Sequence, residues 1–195
     1  MAEFNIIVKG YIKRYKGSSK ITSNCVYIKT KEGLKIIVDP GMDLKALMKG
    51  LKKNRIKKEK IDYVLLTHLH PDHALLSGIF KKSKIICGNI GWDFNGNIGK
   101  IELDSKEIKI IETPGHERFH YSIIIDSIIG KVCIAGDIWW FEEKEEYKNL
   151  NLKDLLYKKD DKAYNFAKLV DSRKKILEMC RWIIPGHGEM FEIIK

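Results

Sequence analysis

This 195-residue sequence predicts a layered α/β fold. Three observations carry the prediction. β-branched strand signals recur along nearly the whole chain, two strong helical periods interrupt them, and no shift in composition marks a second domain. We therefore expect one domain over residues 1–195, long enough to bury a sizeable core and cramped for two.

The elements follow in order. NIIVKGYI (5–12), NCVYIKT (24–30) and KIIVDPG (35–41) are rich in β-branched residues and read as strands. DLKALMKGLKK (43–53) comes next, with Leu44, Leu47, Met48 and Leu51 at i, i+3, i+4 and i+7. That spacing makes one apolar stripe on a helix, and Asp43 is its expected N-cap. YVLL (63–66) is a short apolar strand. KSKIICG (82–88), EIKIIETPG (107–115), YSIIIDS (121–127) and KVCIAGD (131–137) are further strands. A second helix is expected over about 163–180, with Phe166, Leu169, Val170, Leu177 and Cys180 on one face, before the strand RWII (181–184). Two stretches read as irregular. GNIGWDFNGNIGK (88–100) has the Gly and Asn content of a loop, and residues 138–162 mix aromatics with dense charge.

Composition excludes several classes. No apolar run approaches the roughly 18 residues that span a bilayer, so no membrane partner is expected. The N-terminus carries no signal-peptide pattern, which makes a cytoplasmic location the expectation. Cys25, Cys87, Cys133 and Cys180 are widely separated with no CxxC pair, arguing against a zinc ribbon or a disulfide framework. Net charge is +10, and residues 45–60 hold eight basic side chains against one glutamate. Such a face can steer anionic partners, but without interleaved aromatics it reads more simply as a solvated helix and turn.

The chemistry starts at THLHPDH (67–73), which holds three of the six histidines. On extended backbone His68 and His70 point to the same side. Pro71 then ends the strand and turns Asp72 and His73 back toward them. Imidazole nitrogens with carboxylate oxygens suit zinc, iron or manganese rather than calcium. His116 in TPGH, Asp137 in KVCIAGD and His187 in IIPGHG each follow an apolar strand and a glycine turn. Strand ends on one sheet edge are natural meeting places for such side chains. Seven ligands suffice for two metal ions: His68, His70 and His116 on one, Asp72, His73 and His187 on the other, with Asp137 bridging.

These motifs, in this order, resemble the metallo-β-lactamase-fold hydrolases: HxHxDH at 68–73, TPGH at His116, GD at Asp137 and PGHG at His187, with VDPG (38–41) similar to the family's early Asp-x-Gly turn. The resemblance implies a four-layer αββα sandwich with the metals at one edge between the sheets. The stretch DSRKKILEMCRWIIPGHGEMF is similar to the metallo-β-lactamase domain-containing protein 1 type and to small archaeal and bacterial members. For eukaryotic members of that type both hydrolase and RNA-cleaving activities have been proposed.

The expected cofactor is therefore a pair of divalent ions, zinc first, with iron or manganese as alternatives. Such a pair bridges a water, lowers its pKa and directs hydroxide at a carbonyl carbon or a phosphorus. Asp72 could orient that nucleophile or pass a proton to the leaving group. Asp39 and Thr67 are candidates to accept the outer ring protons of the ligand histidines. His120 stands at the offset of the second histidine in the family's TPGHxxGH, although Phe119 replaces the usual glycine and Glu117-Arg118 replace small residues. It is expected either to hydrogen-bond or contact substrate at the site edge, or to be a strand-start histidine outside the ligand set. Trp139, Trp140 and Phe141 are expected to wall the pocket, with a core-anchoring role as the alternative. The function these readings support is hydrolysis of an ester, thioester or lactone small molecule. The alternative is a phosphodiesterase or ribonuclease acting on RNA. Either would be a monomer or a homodimer.

Overall fold

The structure is a computed structural model that describes residues 1–143, 145 and 150–193. Its strands are β1 (Glu3–Val8), β2 (Tyr11–Tyr15), β3 (Ser18–Thr22), β4 (Cys25–Lys29), β5 (Lys35–Val38), β6 (Tyr63–Leu66), β7 (Lys84–Cys87), β8 (Ile90–Trp92), β9 (Ile98–Gly99), β10 (Ile108–Glu112), β11 (Tyr121–Ser127), β12 (Gly130–Gly136), β13 (Trp182–Pro185) and β14 (Phe191–Glu192). Its helices are α1 (Leu44–Lys53), α2 (Pro71–Ala74), α3 (Leu152–Tyr157) and α4 (Phe166–Met179). Among the described residues no helix is long and apolar enough to cross a membrane.

Seven strands pair in the order β1-β4-β5-β6-β7-β8-β9 and five in the order β10-β11-β12-β13-β14, while β2 and β3 form a separate hairpin. Side-chain alternation decides how the two sheets stack. Ile36 and Val38 of β5 face the second sheet, where they meet Ile123 and Ile125 of β11, Val132 and Ile134 of β12 and Ile184. Ile37, one residue out of phase, packs the other way with Leu47 and Leu51 of α1. In the second sheet Ile124, Cys133 and Ile183 likewise turn outward onto Leu169, Ile176 and Leu177 of α4. Both faces of both sheets are therefore covered, which is why the strands read as continuous apolar runs. Each fully buried isoleucine contributes about 2 kcal/mol. The result is the expected αββα sandwich.

Local signals behave as the sequence suggests where they are strong. Asp43 caps α1, its carboxylate accepting from the Ala46 amide at 3.0 Å. Three stretches differ from expectation. The strand expected over 5–12 is cut in two, because Gly10 leaves the sheet and its amide donates to the Asn24 side chain at 2.8 Å. Its continuation pairs with Ser18–Thr22, a strand too polar to be read from propensity. Residues 88–100 are not plain loop: they hold the edge hairpin β8–β9, whose glycines and asparagines masked it.

The aromatics after Asp137 correct a third expectation. Trp139 and Phe141 are buried in the layer beneath α4, and the Trp139 indole donates to the Leu155 carbonyl at 2.8 Å. Trp139 anchors the charged segment in the core, whereas Phe141, though largely buried, also lines a cavity with Tyr11, Glu142 and Gly188. Trp140 is half-buried, with the Lys158 ammonium over its ring. Arg173 of α4, also buried, fastens the same segment by donating to the carbonyls of Ile138, Leu156 and Lys158. Residues 144 and 146–149 of this segment lie outside the described residues.

Candidate metal centre

Two pairs of parallel strands deliver the site. β5 and β6 run side by side, so Asp39 and Thr67 leave the first sheet together. β12 and β13 do the same in the second sheet, releasing Asp137 and the turn that carries His187. Between β6 and its short helix α2, Pro71 occupies the first helical turn, and the His73 amide donates to the His70 carbonyl at 3.0 Å. That reversal is what folds THLHPDH onto itself.

Two glycines make the convergence possible. Gly136 sits at φ +56, with the Thr67 side chain and the His120 ring where a Cβ would go. A Cβ on Gly186 would overlap the Asp137 carboxylate. Gly186→Ala should therefore displace Asp137. We expect a folded chain whose bound metal falls below about one ion per molecule, measured by elemental analysis. Unchanged metal content would show that Asp137 tolerates the shift.

All seven expected ligands come together, in two groups. One contains His68, His70, His116 and Asp137, the other Asp72, His73, Asp137 and His187, and within each group one ligand atom per residue lies within 4.8 Å of the rest. Asp137 belongs to both. Its Oδ1 lies 3.1 Å from His73 Nε2 and 3.6 Å from His187 Nε2, and its Oδ2 lies 3.5 Å from His116 Nε2 and 4.0 Å from His68 Nε2. Asp72 Oδ2 is 3.2 Å from His187 Nε2.

The outer ring nitrogens set the tautomers. Thr67 donates its hydroxyl to Asp39 Oδ2 at 2.7 Å, so at His68 Nδ1, 3.0 Å away, the same oxygen must accept. His73 Nδ1 donates to Asp39 Oδ2 at 2.8 Å, and His187 Nδ1 to the Thr22 carbonyl at 2.9 Å. His116 Nδ1 donates to Asp160 Oδ2 at 2.8 Å, and His70 Nε2 to Glu117 Oε1 at 2.9 Å. In each of the five rings the N–H thus points outward and the other nitrogen faces the centre.

Those inward atoms are left in need of a partner. His68 Nε2, His73 Nε2, His187 Nε2 and Asp137 Oδ1 are buried without a hydrogen bond among the described residues, although some lie close enough to count as ion pairs. His116 Nε2 faces Asp137 Oδ2 at 3.5 Å and His70 Nδ1 at 3.3 Å, the latter lone pair against lone pair in these tautomers. Each unsatisfied buried polar atom costs about 1–3 kcal/mol, and a cation in each group would relieve the set at once.

Electrostatics point the same way. Burial holds His68 neutral, well below the ordinary imidazole range. Burial also opposes a charge on His73, but the carboxylates of Asp137 and Asp39 on its two sides outweigh it and raise its pKa well above that range. His116 is raised against burial by Asp160 and Asp137. Burial would raise the Asp137 pKa, yet His73, His187 and His68 hold it well below the usual carboxylate range. The carboxylates thus favour positive charge at His73 and His116, on the side where these rings face the centre.

Asp39 and Thr67 stand where they were expected, behind the ligands. Asp39 accepts from the Thr67 amide at 2.8 Å as well as from Thr67 Oγ1 and His73, and it does so from a left-handed backbone, φ +47. Strain of this kind persists only where the surroundings demand it.

His120 is a correction. It is buried, its Nε2 accepts from the Asp137 amide at 3.1 Å, and its Nδ1 faces Thr113 Oγ1 at 3.0 Å. Burial lowers its pKa to about 3 and keeps it neutral. With both nitrogens occupied it cannot touch substrate; it holds the Asp137 backbone in place. Three partners went unread in the sequence: Asp160, Glu117 and the Thr22 carbonyl. The first lies in a charge-dense segment and the last is backbone, so neither carries a motif. Glu117 alone was visible, as a departure from the small residue expected beside His116.

Comparisons with known proteins point to the same fold. Residues 20–88 match the metallo-beta-lactamase superfamily family model. A probable metallo-hydrolase of Methanocaldococcus jannaschii is 31% identical over 72% of this chain and 64% of its own length. Metallo-beta-lactamase domain-containing protein 1 of Xenopus laevis is 24% identical over 98% of this chain and 82% of its own length. This chain spans only 41% of a Caenorhabditis elegans relative that is 27% identical over 75% of it. Among solved structures, a Thermotoga maritima protein of the metallo-beta-lactamase type superposes with a TM-score of 0.72 at 20% identity, over 98% of this chain and 99% of that one. A dizinc quorum-quenching lactonase, solved with a homoserine product, superposes with a TM-score of 0.65 at 17% identity, over 91% of this chain and 77% of that one.

Proposed function

We propose that this chain, whose residues 20–88 match the metallo-beta-lactamase superfamily model, is a dinuclear metal-dependent hydrolase of ester, thioester or lactone small molecules. One observation carries this reading: two adjoining ligand groups share Asp137 and turn buried, unpartnered nitrogens and a carboxylate oxygen inward. The donor set of five imidazoles and two carboxylates fits zinc, and fits iron or manganese next. When bound, such a pair supplies Lewis acidity and a water acidified toward neutral pH.

The chain's own residues do the rest. His68, His70 and His116 hold one position, Asp72, His73 and His187 the other, and Asp137 spans both. Asp72 is the less enclosed of the two candidate ligand carboxylates, its side chain 13% exposed against 8% for Asp137. That exposure supports a role for Asp72 in orienting the nucleophile and handing a proton to the leaving group. The acyl substrate class is supported by the lactonase that shares the fold. The basic helix α1 favours the RNA alternative only through charge.

The test is elemental analysis of the purified protein, followed by assays on thioester, lactone, phosphodiester and RNA substrates. Hydrolysis of an acyl substrate that chelation abolishes and zinc restores is the expected result. Turnover confined to RNA, falling steeply with salt and with neutralisation of lysines 45, 49, 52 and 53, would replace the acyl reading with the alternative. Metal retention should also depend on pH. Protons compete for His73 and His116, whose pKa values are raised, so occupancy should drop as pH falls through their range. Dialysis across a pH series reads this directly.

A further inference from the structure

One buried carboxylate in the site comes from outside the sheets. Asp160 lies in the segment between α3 and α4, with its side chain fully enclosed. Its Oδ2 takes the His116 Nδ1 proton at 2.8 Å, its Oδ1 takes the Lys162 amide at 3.0 Å, and the Trp140 indole also donates to it. The residues that follow dock on the His116 turn: the Tyr164 amide donates to the His116 carbonyl and the Asn165 amide to the Gly115 carbonyl, both at 2.9 Å. Behind Asp160 the segment is fastened by Arg173 to the carbonyls of Leu156 and Lys158, and by Trp139 to that of Leu155.

On the reading of this site as a metal centre, we propose that Asp160 is the positioning residue of His116 within the His68, His70 and His116 group, and that it couples the packing of residues 150–165 to metal occupancy there. The physical reason has two halves. A carboxylate that takes the outer N–H fixes the ring's tautomer and orientation and makes the inward nitrogen a better donor to a cation. Reciprocally, a cation on Nε2 makes the Nδ1 proton more acidic and strengthens its bond to Asp160. Linkage then requires that whatever tightens the metal also tightens the segment, and the reverse. The other group is anchored elsewhere, by Asp39 at the end of β5 and by the Thr22 carbonyl. Perturbing Asp160 should therefore leave that second position largely intact.

The test uses the full chain with zinc as the probe. A competing chromophoric chelator measures affinity at each position, and hydrogen exchange with and without zinc reports on residues 150–165. In the wild type, two zinc ions should bind, and zinc should slow exchange in this segment. In Asp160→Ala the affinity of one position should fall about 10- to 100-fold while the other holds, and the zinc-dependent protection should vanish. Asp160→Asn, whose amide oxygen still accepts the N–H without a charge, should lose less and retain a downfield His116 Nδ1–H proton signal. It is also the deciding variant should the alanine fail to fold. Unchanged zinc affinity in Asp160→Asn and Asp160→Ala, in a chain that still loads two zinc ions, would overturn the proposal and leave the metal centre standing. A wild type that binds no zinc, iron or manganese overturns both.

Discussion

Asp137→Ala should empty both halves of the site at once and lower kcat/KM on any hydrolysed substrate by about 10³-fold or more, close to 4 kcal/mol of transition-state stabilisation. The reason is geometric. Asp137 is the residue shared by the two ligand groups, with one oxygen turned to His73 and His187 and the other to His68 and His116. Its loss removes a ligand from each position and the negative charge that lets several imidazoles crowd together. His116→Ala, by contrast, touches one group and should cost one ion. Elemental analysis of the two variants separates these outcomes. Two ions retained in Asp137→Ala would refute the shared-ligand arrangement.

The second large effect is at Asp39, which never faces the centre. Asp39→Ala leaves the Thr67 amide, the Thr67 hydroxyl and His73 Nδ1 without their acceptor, all inside the protein. It also asks alanine to hold a left-handed backbone at φ +47, where aspartate is better tolerated. Unsatisfied buried groups at about 1–3 kcal/mol each put the loss near 4 kcal/mol, or about 10 °C in Tm. Metal affinity should fall with it, since the tautomers of both His73 and His68 depend on this carboxylate. Asp39→Asn keeps the backbone and one acceptor oxygen and should recover roughly half of the loss. Thermal unfolding of the metal-free and zinc-loaded variants measures the two effects separately. If Asp39→Ala melted within a degree or two of the wild type, the stability argument would be wrong.

Legibility varied with the range of the interactions involved. β6 and β11 were readable to the residue, because an unbroken apolar run bounded by charge or turn residues leaves little choice. β3 and the β8–β9 hairpin were not. SSKIT is mostly polar and the glycines of 88–100 disfavour strands, and both stretches pair because a neighbouring edge offers unsatisfied backbone groups. Trp139 misled for a related reason. Its position beside Asp137 suggested the pocket, but the chain turns it under α4, where its indole finds the Leu155 carbonyl. His120 was read equally as a substrate contact and as a histidine outside the ligand set, and only the packed structure decides, since the Asp137 amide fills its Nε2.

The residues of the two candidate ligand groups were legible from order and type alone. Histidines and aspartates placed directly after apolar strands, with proline or glycine turns beside them, constrain where their side chains can go through local backbone geometry. Their arrangement into two groups followed from the same local pattern. The partners behind them were not local. Asp160 reaches His116 across 44 positions of chain, Thr22 meets His187 across 165, and neither contact leaves a trace in spacing or composition. A ligand must have particular chemistry at a particular strand end, whereas a partner that accepts one ring proton can come from any segment that folding brings within 3 Å. That freedom hid the support of the site until the sheets were stacked and the segment after Asp137 had closed over them.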